Sequence, residues 1–360
     1  MNEKIIIGLS GGVDSTVSMK LLKDKGYDVE ALFMKNWSDD DKTDGCNIIE
    51  DLEYAIDACD KLKIKLHTAN FSEQYWNNIF LDFIESYKNG CTPNPDILCN
   101  KYIKFKVFTD HASELGAKKI ATGHYAKINN IKETYFLTKP KDNKKDQTYF
   151  LHTLDQKQLS NVIFPLSDIT KNDVKKIARD SGFKSYNKKE SMGICFIGNK
   201  KFKNFINKYI ENNPGEVLDN NGNIIGKHNG MFYTTIGQRE GIGIGGMKNT
   251  KNLPWYVYKK DLIKNILYVC QGNENTLLYK TKICIKDIQV ITENEEDILE
   301  KKLFCQVRHL GEKYECLITK EKENLFNVDT KKKVRAPAPG QSLVFFEHEK
   351  CLGGGIITND

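Results

Sequence analysis

The stretch KIIIGLSGGVDST, residues 4–16, decides the fold. Ile5, Ile6 and Ile7 form an apolar run without polar alternation, which reads as a strand buried on both faces. A glycine turn follows. From about Asp14 to Lys25, Val17, Leu21 and Leu22 recur on one helical side until Gly26 stops the helix. A strand that turns directly into a helix brings unpaired N–H groups and a positive dipole end to the strand's carboxyl edge. Glycines permit close backbone approach, and Ser10 and Ser15 add hydroxyls, so Gly8 to Ser15 reads as an anion cradle. The lysine of a Walker-type loop is missing, so phosphoryl transfer of that type is not indicated.

Working outward, VEALFM (29–34) reads as strand and residues 48–62 as a helix with Ile49, Leu52, Ile56, Cys59 and Leu62 as its apolar stripe. IKLHTAN (64–70) is strand, 71–90 and 101–115 are helices, and KKIATGH (118–124) is strand. This alternation predicts a doubly wound α/β domain with a parallel sheet over residues 1–200. Beyond about 210 the pattern changes to short strand-like runs with turn signals, among them DNNG (219–222) as a hairpin turn. We read 201–275 as a small β-rich domain and 276–360 as a β-barrel, with KKKVRAPAPGQ (331–341) as a turn before a last strand.

The chain has 360 residues, 39% hydrophobic and 28% charged, which suits a globular protein of two or three domains. No run approaches the roughly 20 apolar residues of a membrane span, and the N-terminus has no signal-peptide core. A cytoplasmic location is the expectation. The ten cysteines include no CxxC pair, so a zinc ribbon is disfavoured and most thiols should be buried apolar side chains. Charge is uneven: residues 1–150 carry 21 Lys+Arg against 23 Asp+Glu, and 151–360 carry 33 against 25. That excess suits a polyanionic partner, although a solvated lysine surface explains it equally well.

SGGVDS after an N-terminal strand resembles the PP-loop of the N-type ATP pyrophosphatases. That resemblance implies that Gly8, Leu9, Ser10, Gly11, Gly12, Val13, Asp14 and Ser15 bind ATP, with Met34 and Gly123 holding the adenosine. It further implies that Asp14 helps organise Mg²⁺.

Two cysteines stand apart. Cys99 lies in TPNPDILCNKYIKF (92–105) and Cys195 in ESMGICFIG (190–198), each flanked by loop-forming residues. Lys101 and Lys104 follow Cys99 and could lower its pKa. These segments, with MKNW (34–37), KDQTYFL (145–151) and GQREGIGIGG (237–246), closely resemble the tRNA-specific 2-thiouridylases, nearly end to end and in the same order. The resemblance implies adenylylation of the wobble uridine and sulfur transfer from a persulfide, on tRNAs for Lys, Glu and Gln. It makes Cys99 the nucleophile, Cys195 the persulfide carrier, and a Cys99–Cys195 disulfide the product. Asn94, Pro95 and Asp96 would form the base pocket, with Asp96 as acid–base group; a turn role for Asp96 is the alternative. His124, Lys145, Asp146, Gln147, Arg308, His309 and Gln341 would touch tRNA. A cysteine desulfurase or relay protein is implied as sulfur donor. Other PP-loop tRNA-modifying or amide-forming enzymes, a non-catalytic RNA-binding protein, and an iron–sulfur variant using Cys99 and Cys195 stay open.

Overall fold

A computed structural model of the chain describes residues 3–37, 48–188, 202–242, 244 and 253–359. The N-terminal half contributes β1 (Lys4–Gly8), β2 (Asp28–Lys35), β3 (Leu66–Asn70), β4 (Lys119–Ala121), the hairpin β5 (Lys127–Ile131) and β6 (Thr134–Thr138), and β7 (Val162–Ile163). Five of these form an all-parallel sheet in the order β3-β2-β1-β4-β7. Ile5 and Ile7 enter one apolar core and Ile6 the other, as the two-residue period of a strand requires. Helices therefore cover both faces, and the expected doubly wound architecture is the one found.

Helix α1 (Val13–Asp24) and α2 (Ile48–Leu62) lie on the Ile5 face. The apolar stripe of α2 differs from the expected one. Ile49 is 72% exposed and Ile56 43% exposed, while Ala55, Ala58 and Cys59 are buried. Small side chains let this helix sit close on the sheet, and the two isoleucines turn outward. On the other face, helix α3 (72–88) passes through a π-helical stretch, and α4 (95–114) does so over Cys99–Val107. Shorter helices α5 (Gln156–Ser160) and α6 (Lys171–Asp180) follow, each opened by a capping box.

The central strands are β8 (Gly215–Leu218), β9 (Ile224–His228), β10 (Trp255–Asp261) and β11 (Ile266–Gln271), ordered β10-β11-β8-β9. The hairpin at DNNG is present, with Asp219 accepting from the Asn221 and Asn223 N–H groups. The last strands are β12 (Tyr279–Val290), β13 (Leu303–Gln306), β14 (Tyr314–Lys322), β15 (Leu325–Arg335), β16 (Ser342–Glu347) and β17 (Lys350–Ile357). Pairing of β12 with β17 closes them into a six-stranded antiparallel barrel. KKKVR belongs to β15 rather than to a turn; only 336–341 turns.

One connection escaped the sequence reading. β6 pairs antiparallel with β17, through Leu137↔Cys351 and Thr138↔Lys350, so the β5–β6 hairpin extends the barrel's sheet.

Two buried histidines lie in this framework. Burial pushes His124 far below the ordinary histidine range and His152 down to about 4. Unfolding releases both to ordinary values near 6.5. The unfolded chain then binds more protons, so stability is complete above about pH 6.5 and falls as pH drops toward 4. Each histidine contributes a slope of about 1.4 kcal/mol per pH unit in that window. His152→Gln should remove one such slope, read as a flatter dependence of the urea midpoint on pH; an unchanged slope refutes the assignment.

Candidate active site

The strand order reverses on either side of β1, with β2 on one flank and β4 on the other. A crevice opens there at the carboxyl edge of an open parallel sheet. The glycine loop occupies it. Gly11 has φ +70°, and a Cβ there would stand 2.1 Å from the Asp51 carbonyl oxygen. Ser15 Oγ donates to the Gly12 carbonyl at 3.1 Å and accepts from the Ser10 N–H at 3.2 Å, which folds the loop over the first turn of α1. Gly12 is the N-cap and supplies no side-chain acceptor, leaving the helix end to an outside anion. Gly123, past the end of β4, packs on this turn: a Cβ would lie 2.8 Å from the Ser15 nitrogen. Met34, at the end of β2, reaches Gly8, its methyl 3.2 Å from where a Cβ would be.

Asp14 is held by residues far away in sequence. Both carboxylate oxygens accept from Lys171 Nζ at 2.7 Å, and Oδ1 also accepts from the Tyr125 hydroxyl at 2.8 Å. Lys171 is the first residue of α6 and is buried. Lys188 reaches the other side of the loop, donating to the Gly11 carbonyl at 3.4 Å and to Asp51. The sequence reading missed Lys171, Tyr125 and Lys188. Tyr125 follows GH in ATGHYA and could have been suspected; nothing local marks the lysines.

The thiol segment departs from expectation. Cys99 is inside α4 rather than in a loop, and it is 3% exposed. Asn94 caps this helix by accepting from the Asp96 N–H at 3.2 Å, and Pro95 takes the first helical position. Asp96 carries an exposed side chain on the first turn, yet the surrounding protein raises its carboxyl pKa, with Lys104 opposing. Asn100, next to Cys99, donates to the Phe150 carbonyl at 2.9 Å and so ties α4 to the KDQTYFL segment. Cys195, like Cys46, lies outside the described residues. Six of the eight described cysteines are buried.

The remaining candidates are largely interlocked. His124 is buried beside the Phe105 and Phe164 rings and hydrogen-bonds Thr122 Oγ1 through Nδ1 at 2.8 Å. Lys145 is half-buried, its N–H donating to the Asp142 carbonyl at 3.0 Å. Gln147 accepts from the Tyr125 N–H at 2.9 Å, so this segment reaches the glycine loop through the Tyr125–Asp14 bond. The Asp146 carboxylate accepts from the Thr148 N–H and hydroxyl, while its carbonyl accepts from His309 Nε2 at 2.6 Å. Arg308 is exposed and donates to the Ala336 carbonyl at 3.2 Å. Gln341 donates to the Thr92 carbonyl at 2.5 Å, and the Thr92 N–H donates to the Pro339 carbonyl at 2.8 Å. Thr92 also hydrogen-bonds Thr235 of the central domain at 3.1 Å. The central domain and the C-terminal part thus both grip the residue two before the Asn94 cap. Among the described residues no three His, Cys, Asp or Glu side chains form a metal-holding group, and no helix is long and apolar enough to cross a membrane.

A glycine cradle at the switch point of a parallel sheet, followed by a β-rich domain and a closed barrel, defines a nucleotide-binding α/β protein with two β appendages. Family models match it in sequence: tRNA methyl transferase HUP domain over 3–199, tRNA methyl transferase PRC-barrel domain over 203–271, and aminomethyltransferase beta-barrel domain over 280–357. The tRNA-specific 2-thiouridylase MnmA of Legionella pneumophila (strain Paris) is 46% identical over 357 residues, 99% of either chain. That of Alcanivorax borkumensis is 46% identical over 354 residues, 98% of this chain and 97% of the relative. A solved U34-tRNA thiolase from Methanococcus maripaludis is similar at 21% identity and a TM-score of 0.35, over 54% of this chain and 62% of that one. The chain belongs to the tRNA-specific 2-thiouridylase family.

Proposed function

We propose that this protein is an ATP-dependent tRNA sulfurtransferase that converts the wobble uridine of tRNA to 2-thiouridine. The observation that carries the reading is 46% identity to 2-thiouridylases along 99% of the chain. ATP supplies an adenylyl group that makes the uridine C2 oxygen a leaving group, with release of pyrophosphate. Sulfur held as a persulfide on Cys195 then attacks C2, and AMP departs. The Cys99 thiolate attacks Cys195 Sγ and breaks its bond to the sulfur now on C2, so that 2-thiouridine is released and a Cys99–Cys195 disulfide remains. Two external thiols reduce that disulfide and are themselves joined as a disulfide, which supplies the two electrons the transfer consumes.

Within this scheme the glycine loop and the N-terminus of α1 bind the phosphates, with Gly11 and Gly12 leaving the backbone accessible. Met34 and Gly123 border the adenosine. Mg²⁺ suits this site, because it keeps phosphate and water ligands and takes only one or two carboxylates. Asp14 is the carboxylate at hand, with Lys171 as its counter-charge. Asp96, with its raised pKa, suits proton exchange at the uracil. Asn94 and Pro95 fix the helix start beneath the base. His124 serves from a buried position as a wall of the pocket, and Lys145, Asp146, Gln147, Arg308, His309 and Gln341 line or brace the RNA-facing side. The sulfur arrives from a desulfurase or relay protein.

The test is direct. Purified protein with ATP, Mg²⁺, a persulfide donor and unmodified tRNA should yield 2-thiouridine at the anticodon wobble position, read by mass spectrometry of digested tRNA. AMP formation without sulfur in the RNA would reject the reaction.

A further inference from the structure

A cavity of about 200 Å³ lies where the Lys145–Gln147 segment meets the barrel. Lys139, Asn143, Asp146, His309 and Lys313 are among its lining residues. Lys139 follows β6 directly, and Lys313 directly precedes β14. The cavity therefore sits on the seam made by the hairpin that extends the barrel's sheet.

Lys313 is in an unusual position. Its Nζ lies 3.3 Å from the centroid of the Phe346 ring. It is screened from bulk water and has no hydrogen-bond acceptor among the described residues. A ring face compensates an ammonium only in part, and buried charges normally pair. Burial together with the positive charge of Lys139 pushes Lys313 down to about 8, while Asp146 and Glu349 oppose this. Lys313 Nζ hydrogen-bonds neither oxygen of Asp146, whose Oδ1 accepts from the Thr148 N–H and hydroxyl instead. The His309 Nε2–H is spent on the Asp146 carbonyl. Two lysines thus border one small space, and Lys313 has no hydrogen bond to the carboxylate that lines it.

We infer that this cavity seats one backbone phosphodiester of bound tRNA, with Lys313 and Lys139 as cationic walls and the Asn143 amide as neutral donor. The inference rests on the tRNA reading above and extends it to residues which that reading does not use. An anion between the lysines relieves their repulsion and supplies the acceptor that Lys313 lacks. The rim at Asn143, Leu310 and Gly311 is exposed. An ester with two ribose substituents needs such an opening, whereas a free ion does not. Exposed Lys144 is next in the chain to the rim residue Asn143 and would meet a neighbouring phosphate.

The experiment compares wild type, Lys139→Met, Lys313→Met and Lys313→Arg for binding of an unmodified tRNA transcript between about 50 and 200 mM salt. Each methionine variant should weaken binding about tenfold at the low end and reduce the salt slope by roughly 0.7–0.9. Lys313→Arg should keep the slope, which separates charge from folding. Lys264→Met, an exposed turn position, should behave as wild type. Unchanged slopes in both methionine variants overturn the inference. Protection of Lys313 from acetylation by millimolar inorganic phosphate, with tRNA slopes unchanged, would assign the cavity to a free anion and overturn it equally. Wild type that binds no tRNA defeats the functional reading itself, and this inference with it.

Discussion

Cys99→Ser should reduce 2-thiouridine formation by about a thousandfold or more, as expected for loss of a nucleophile, while ATP is still cleaved to pyrophosphate once per bound tRNA. The two readouts separate because adenylylation needs the glycine loop and the uridine but no thiol. The substitution carries a structural cost. Cys99 is 3% exposed in an apolar cluster, and moving a more polar hydroxyl into such a place costs about 1–3 kcal/mol. A thermal melt and the tRNA affinity must therefore be measured alongside. If Cys99→Ser keeps more than about a tenth of the sulfur transfer, Cys99 is not the nucleophile. Cys195→Ser should match it in sulfur transfer and should additionally lose the protein-bound persulfide.

Gly11→Ala should lower nucleotide affinity by about a hundredfold or more, which is roughly 2.7 kcal/mol. Two costs add. The left-handed backbone at φ +70° disfavours any Cβ by about 1–2 kcal/mol. The added carbon would also stand 2.1 Å from the Asp51 carbonyl oxygen, so the loop must move off α2. Gly26→Ala provides the comparison, since Gly26 has φ +82° and open space around its Cβ position. That variant should lose stability of about 1 kcal/mol and bind nucleotide normally. Equal nucleotide affinities for the two variants, measured by calorimetry, would show that loop geometry at Gly11 is irrelevant to binding.

The parallel sheet and the glycine cradle were legible because both depend on local signals: an apolar run, a glycine turn and a helical period within 25 residues. The barrel was legible as repeated short strands. What the sequence hid is of two kinds. Cys99 looked like a loop residue because Pro93 and Pro95 surround the approach, although Asn94 followed by Pro95 is also the signature of a helix start, and that is how it folds. The stripe of α2 was misplaced because the larger isoleucines drew the reading away from the alanines that touch the sheet. The second kind could not be read at all. Lys171 meets Asp14 across 157 positions, and Gln341 meets Thr92 across 249. Such pairings are set by how the domains dock, and no period or spacing in one chain encodes them.

The annealing of β6 onto β17 means that the first and third parts of the chain share backbone hydrogen bonds. A truncated protein ending before residue 276 would leave Leu137 and Thr138 as a bare strand margin, ready to pair with another copy. Aggregation of such a fragment would therefore report a missing neighbour and say nothing against the nucleotide fold. Conversely, any rocking of the barrel is carried into the segment that follows β6, where Asp146 and Gln147 lie, and onward through Tyr125 to the carboxylate beside the phosphate loop.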